Sequence, residues 1–208
     1  MYNDYYQGPR LMWDRDQGEG APALLERLQA LQSDDWSARA FLSVRARGFH
    51  SAPPPVISAD RPLAAQALRI AEEYAEYMQA KAIAEAQAAE GEGVIASALR
   101  TAAVQELADM LIVCAQIGWH CGGTVRGYGV MHEAYTPAAL HDAMQNLLRT
   151  VRKGGDLQIL HGARRLSNAC SAEGLHVWGC TAQDLTATIL EKLRADDLRG
   201  HLHEGGRG

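Results

Sequence analysis

The sequence predicts an all-α protein: a helical bundle with an N-terminal extension and extra C-terminal helices. Three observations carry this. Apolar residues recur at three- and four-residue spacings over several long stretches. No segment alternates with the period of two that a half-buried strand requires. The periodic stretches open on capping or proline residues and most close on glycine. Hydrophobic residues fill 47% of the 208 positions, enough to build a packed core and too many for a disordered chain.

Residues 1–60 read as the extension. The first twenty are polar, aromatic and aperiodic. Pro22 opens a short helical pattern with Leu24, Leu25, Leu28 and Leu31 on one side, and Trp36, Ala40 and Val44 form a second. Pro53-Pro54-Pro55 then breaks the chain and marks the boundary with a core at 61–200.

Within that core, Pro62 suits the first turn of a helix, where a missing N–H costs nothing. Leu63, Ala67, Ile70, Tyr74 and Tyr77 follow in helical register, predicting a long amphipathic helix to about Ala89, stopped by Gly91 and Gly93. A second long helix is predicted from Ala96 to Trp119, ended by Gly122-Gly123. The run from Val125 to Met131 holds too much glycine for a strong strand.

Thr136-Pro137 reads as an N-cap and N1 pair for a helix striped by Leu140, Met144, Leu147, Leu148 and Val151. Gly154-Gly155 ends it, and Asp156 is the expected cap of the next, with Ile159, Ala163, Leu166 and Cys170 in register. Thr181-Ala-Gln-Asp184 has the spacing of a capping box before Leu185, Ile189 and Leu193. Residues 201–208 read as a flexible tail.

The charge balance is 20 basic against 25 acidic residues, a net −5. That argues against a nucleic-acid surface, which is normally basic, and leaves small molecules and cations as partners. The longest apolar stretch, Ala102 to Trp119, is interrupted by Gln105, Glu106, Asp109 and Gln116, so no membrane span is expected. The start, Met1-Tyr-Asn-Asp-Tyr-Tyr, has neither the basic nor the apolar region of a signal peptide. Cys114, Cys121, Cys170 and Cys180 form no CxxC pair, so reduced thiols and a cytoplasmic location are expected.

The acids on the two long helices are the informative feature. Glu72, Glu73 and Glu76 lie on the first, Glu106 and Asp109 on the second, with three- and four-residue spacings that share a face. The second helix is otherwise apolar over most of its circumference, and Gln105, Asp109 and Gln116 fall in one narrow stripe with Glu106 at its margin. A carboxylate buried without a partner costs several kcal/mol. Cations are scarce: Arg69 and Lys81 on the first helix, Arg100 on the second, none of them four residues after an acid. A divalent cation resolves the deficit, and all-oxygen ligation favours Mg²⁺ or Mn²⁺.

Glu72-Glu73-Tyr-Ala-Glu76 followed by Glu106-Leu-Ala-Asp109 resembles the EExxE…ExxD signature of the all-α nucleoside triphosphate pyrophosphohydrolases. That superfamily includes MazG-like proteins, dimeric dUTPases and dCTPases. The resemblance covers about 63–122, with the last helix as a possible addition. It implies Glu73, Glu76, Glu106 and Asp109 as metal ligands and Glu72 as the group that orients or deprotonates water. It also implies hydrolysis between the α- and β-phosphates of a (deoxy)nucleoside triphosphate. Family members carry phosphate-contacting basic residues on a later helix; Lys192, Lys153 and Arg152 are the counterparts available here, and the family's asparagine is not evident. Tyr5, Tyr6, Trp13 and Trp36 are candidates for stacking on a nucleobase.

The apolar girth of the second helix predicts a homodimer or homotetramer. Two other classes fit the same helices: a catalytically silent helical oligomerisation or regulatory module, and a di-iron carboxylate bundle. The latter wants Glu-x-x-His motifs, of which Glu173-Gly-Leu-His176 offers one, in an expected glycine-bearing turn.

Overall fold

The computed structural model describes residues 36, 37, 39, 40, 43, 60–91, 93–121, 125 and 135–204. The Pro22 pattern, Val44, Pro53–Pro55, Gly122-Gly123, residues 126–131, the aromatics Tyr5, Tyr6 and Trp13, and residues 205–208 lie outside them. Among the described residues there are five long helices and no strand: α1 (Asp60–Glu90), α2 (Val94–His120), α3 (Ala139–Lys153), α4 (Asp156–Trp178) and α5 (Ala182–Glu204). Residues 36, 37, 39, 40 and 43 are helical as well.

The predicted stripes are the buried ones. Ile70 and Tyr77 of α1, Leu140, Met144 and Leu147 of α3, Ile159, Ala163, Leu166 and Cys170 of α4, and Leu185, Ile189 and Leu193 of α5 all enter one core. Burial of each large side chain is worth roughly 1.5–3 kcal/mol, which is why the pattern survives into the fold. Trp36 and Ala40 join the same core, so Trp36 is a packing residue and is not available to stack on a base.

Several helix boundaries depart from the sequence reading. Thr136 does not cap α3; its carbonyl accepts the Ala139 N–H at 2.9 Å, closing a turn with Pro137 at its second position, and the helix starts after it. Asp156 is the first helical residue of α4, and Gly155 precedes it with its N–H donated to Gln158 Oε1 at 3.0 Å. The third departure is larger. Glu173 to His176 does not form a turn, because α4 continues through Gly174 to Trp178. A Cβ at Gly174 would meet Leu185 Cδ1 at 2.9 Å, so this glycine serves the close approach of α5. The break falls at Gly179, at φ +64°, where the Gly179 and Cys180 N–H groups donate to the Leu175 and Gly174 carbonyls.

The Thr181–Asp184 box forms as read. The Thr181 N–H and hydroxyl donate to Asp184 Oδ2 at 2.8 and 2.7 Å, and the Asp184 N–H returns to Thr181 Oγ1 at 3.2 Å. At its other end α5 runs on to Glu204, into the stretch expected to be tail.

α2 is the centre of the bundle. It packs against α1, α4 and α5, while α3 packs on α4 and α1. Ser37 and Ala40 meet its C-terminal end: Gln116 Nε2 donates to the Ala40 carbonyl at 2.9 Å, and Trp119 Nε1 to Ser37 Oγ at 3.2 Å. The apolar stretch of α2 from Ala103 to Trp119 is therefore buried within one chain. No described helix is long and apolar enough to cross a membrane.

Candidate metal centre

α1 and α2 form an antiparallel hairpin reversed at Gly91, whose φ of +133° is open to glycine and strained for other residues. The hairpin sets the acidic spacings of the two helices side by side. Glu73 and Glu76 from α1 and Glu106 from α2 each bring a carboxylate oxygen within 4.8 Å of the others. Glu73 and Glu106 are half-buried and Glu76 is exposed, so the cluster opens to solvent at one side.

The other predicted residues take different positions. Asp109, one turn after Glu106, is outside the converging three and pairs with Lys192 of α5. Lys192 Nζ also donates to the Gln105 carbonyl at 3.2 Å. Glu72 is exposed on the flank of α1 and is not among the three. Arg152 and Lys153 are exposed in the last turn of α3, where they complement the helix C-terminus. The charged neighbours that bear on Glu73, Glu106 and Asp109 include Arg69 and Lys192, and neither Arg152 nor Lys153.

Two cations therefore reach the acids. Arg69 stands four residues before Glu73 and donates to Oε1 at 3.2 Å, a spacing outside a search for bases placed after acids. Lys192 arrives from a helix 83 residues further along the chain. The polar stripe of α2 is also divided along its length. Gln105 is exposed, Glu106 and Asp109 are half-buried, and Gln116, two turns on, is 1% exposed beneath Ala40.

Electrostatics make the cluster short of positive charge even so. Glu73, Glu106 and Asp109 are all held above their ordinary values, each chiefly by burial. The negative charge of Asp109 adds to the rise at Glu73, and the Lys192 bond only partly offsets it at Asp109. Ionised together, these groups call for a further cation. The donor set is three carboxylates with no imidazole or thiolate, which suits a hard dication.

No family model, no curated protein and no solved structure matches the chain. Among the described residues, Glu73, Glu76 and Glu106 are the group whose ligand atoms converge as a metal ion requires.

A second polar cluster escaped sequence reading. Glu173 of α4 is 2% exposed and accepts from Tyr77 Oη at 2.6 Å, Lys81 Nζ at 2.7 Å and Tyr135 Oη at 2.9 Å. Trp178 Nε1 donates in turn to Tyr77 Oη at 3.2 Å, and the Tyr135 ring stacks on His176 at 4.8 Å. Glu173 and His176 thus serve this network rather than the three glutamates. A groove of about 640 Å³ between α3 and α4 is lined by Asn146, His161, Arg165 and Asn168 among others, and by none of the predicted site residues. The thiols are poor nucleophiles: burial pushes Cys114 and Cys170 well up and Cys121 up to about 12.

Proposed function

We propose that this chain is a Mg²⁺- or Mn²⁺-dependent nucleoside triphosphate pyrophosphohydrolase of the MazG-like kind. The observation that supports it most is the convergence of Glu73, Glu76 and Glu106 from two helices, in the order and spacing of the EExxE…ExxD pattern. In this reading those three carboxylates hold the metal, with Asp109 beside them as a fourth. The bound ion would supply charge neutralisation at the phosphates and a more acidic water. Glu72, exposed next to the cluster, accepts the proton of the attacking water. The water oxygen bonds to the α-phosphorus, the bond to the α–β bridging oxygen breaks, and pyrophosphate leaves with that electron pair. Lys192 is the cation best placed near a phosphate, ahead of Lys153 and Arg152. A deoxynucleoside triphosphate is the first substrate class to test, within a cytoplasmic nucleotide-clearing role.

The expected result is magnesium-dependent pyrophosphate release from at least one member of a deoxynucleoside triphosphate panel. Glu106→Gln is expected to lower it by about a hundredfold or more, the scale of losing an electrostatic catalytic contact. No release with any nucleotide, together with no Mn²⁺ uptake by calorimetry, would sink the enzyme. The second reading, a silent module of the same architecture, draws support from Arg69 and Lys192, which already pair with two of the acids. A homodimer or homotetramer remains part of the proposal. Its support shifts from α2 to exposed apolar residues near the α1–α2 turn, namely Ile83, Ile95 and Val94, the last 88% exposed.

A further inference from the structure

We infer that Lys192 is a resident counter-ion for Asp109, and that a divalent cation and Lys192 compete for that carboxylate. The inference rests on the metal reading above and adds a gate to it. Asp109 lies one turn from Glu106 on α2, and its charge bears directly on both Glu73 and Glu106. In the metal reading it is the fourth carboxylate, yet its Oδ2 is engaged by the Lys192 ammonium. The same ammonium is held from a second side by the Gln105 carbonyl at 3.2 Å. The pair is three-quarters buried, with side-chain exposures of 23% and 24%, so water screens it only in part.

The placement of Lys192 belongs to α5 as a whole. Leu185, Ile189 and Leu193 anchor that helix in the core, and Lys192 precedes the last anchor by one residue. The backbone of α5 is fixed, while the four-carbon stem of lysine is free to swing. A dication entering among Glu73, Glu76 and Glu106 repels the ammonium and offers Asp109 a doubly charged partner. Asp109 then turns to the metal, and the ammonium is released towards solvent. Metal loading and the presentation of Lys192 become one event. A triphosphate would meet a free cation only at a loaded site, and the unloaded site would keep its own charge masked.

The chain supplies a direct test, because its lysines are only Lys81, Lys153 and Lys192. Brief acetylation of the full-length protein with an N-hydroxysuccinimide ester is read by mass spectrometry with and without Mn²⁺. Lys153 is exposed and reports reagent activity; Lys81, paired with Glu173 at 2.7 Å, reports the intact fold. Lys192 is expected to react about tenfold faster once Mn²⁺ is bound, with the other two unchanged. In Asp109→Asn it is expected to react fast with or without metal. Lys192→Met is expected to bind Mn²⁺ on the order of tenfold more tightly by calorimetry, because a competing charge has gone. Mn²⁺ uptake with an unchanged Lys192 rate overturns the exchange and leaves the metal reading standing. Absence of Mn²⁺ uptake in the wild type overturns both.

Discussion

Glu106 shows how burial changes an ordinary acid. It sits half-buried on the most apolar of the described helices, where desolvation raises its pKa above the ordinary 4.5. Glu73 and Asp109 move the same way from 4.5 and 3.8. The consequence for stability has a definite sign. A carboxyl whose folded pKa exceeds its unfolded one binds more protons when folded, so stability falls as pH rises through the interval between the two. Metal-free protein is therefore expected to lose stability as pH climbs from the ordinary carboxylate range towards neutrality. Saturating Mn²⁺ is expected to abolish that loss, since the cation replaces the protons. Urea melts from about pH 4 to about pH 8, with and without the ion, read this out. A metal-free curve that rises with pH would show that these acids are already neutralised by the chain's own cations. Of the residues singled out in the sequence, Glu73, Glu76 and Glu106 come together. Asp109 is diverted by a lysine that no spacing rule on its own helix could reveal.

At the scale of elements, the acidic hairpin and the rest of the bundle are joined by a polar bolt. Tyr77 and Lys81 of α1 reach across to Glu173 of α4, and Tyr135 reaches it from the chain leading into α3. Tyr77 follows Glu73 by four residues and Glu76 by one, so anchoring it in the core fixes the rotation of α1 beside its acids. Glu173→Ala leaves an ammonium and two hydroxyls without their acceptor, and is expected to cost about 3–5 kcal/mol. Glu173→Gln keeps an acceptor for the tyrosines and is expected to cost distinctly less. A loss below about 1 kcal/mol for the alanine variant, the scale of a surface pair, would deny the bolt its role. The helix stripes themselves were legible, because each needs only a local period and a buried side. The ends were less so. In sequence Gly174 reads as part of a turn, and its use as a contact surface for Leu185 depends on another helix, α5.

The whole molecule is organised around α2. Helices α1, α4 and α5 pack around it and Ser37 and Ala40 bond to its far end, so its apolar stretch from Ala103 to Trp119 is buried inside one chain. Leu111, 1% exposed at its middle, is expected to cost about 2–5 kcal/mol when cut to alanine. Leu175, half exposed on α4, is expected to stay within about 0.5 kcal/mol. Both variants are measured by chemical denaturation followed with two probes. A similar loss at the two positions would mean that α2 is not the centre of a single cooperative core.

The sequence by itself determined that the described core is helical, where its five long helices begin to within a few residues, and that acids gather on two of them. These are consequences of local period and composition, which act over a few turns of chain. Only the tertiary structure decided which acids converge, which are answered by Arg69 and Lys192, and why α2 is apolar on every side. It also decided that Glu173 belongs to a buried network and not to a turn. Such outcomes depend on contacts between residues as much as 101 positions apart, including Tyr77 with Trp178, Lys192 with Asp109 and Lys81 with Glu173. A charge deficit counted along one helix is incomplete, because the neutralising group can be delivered from another.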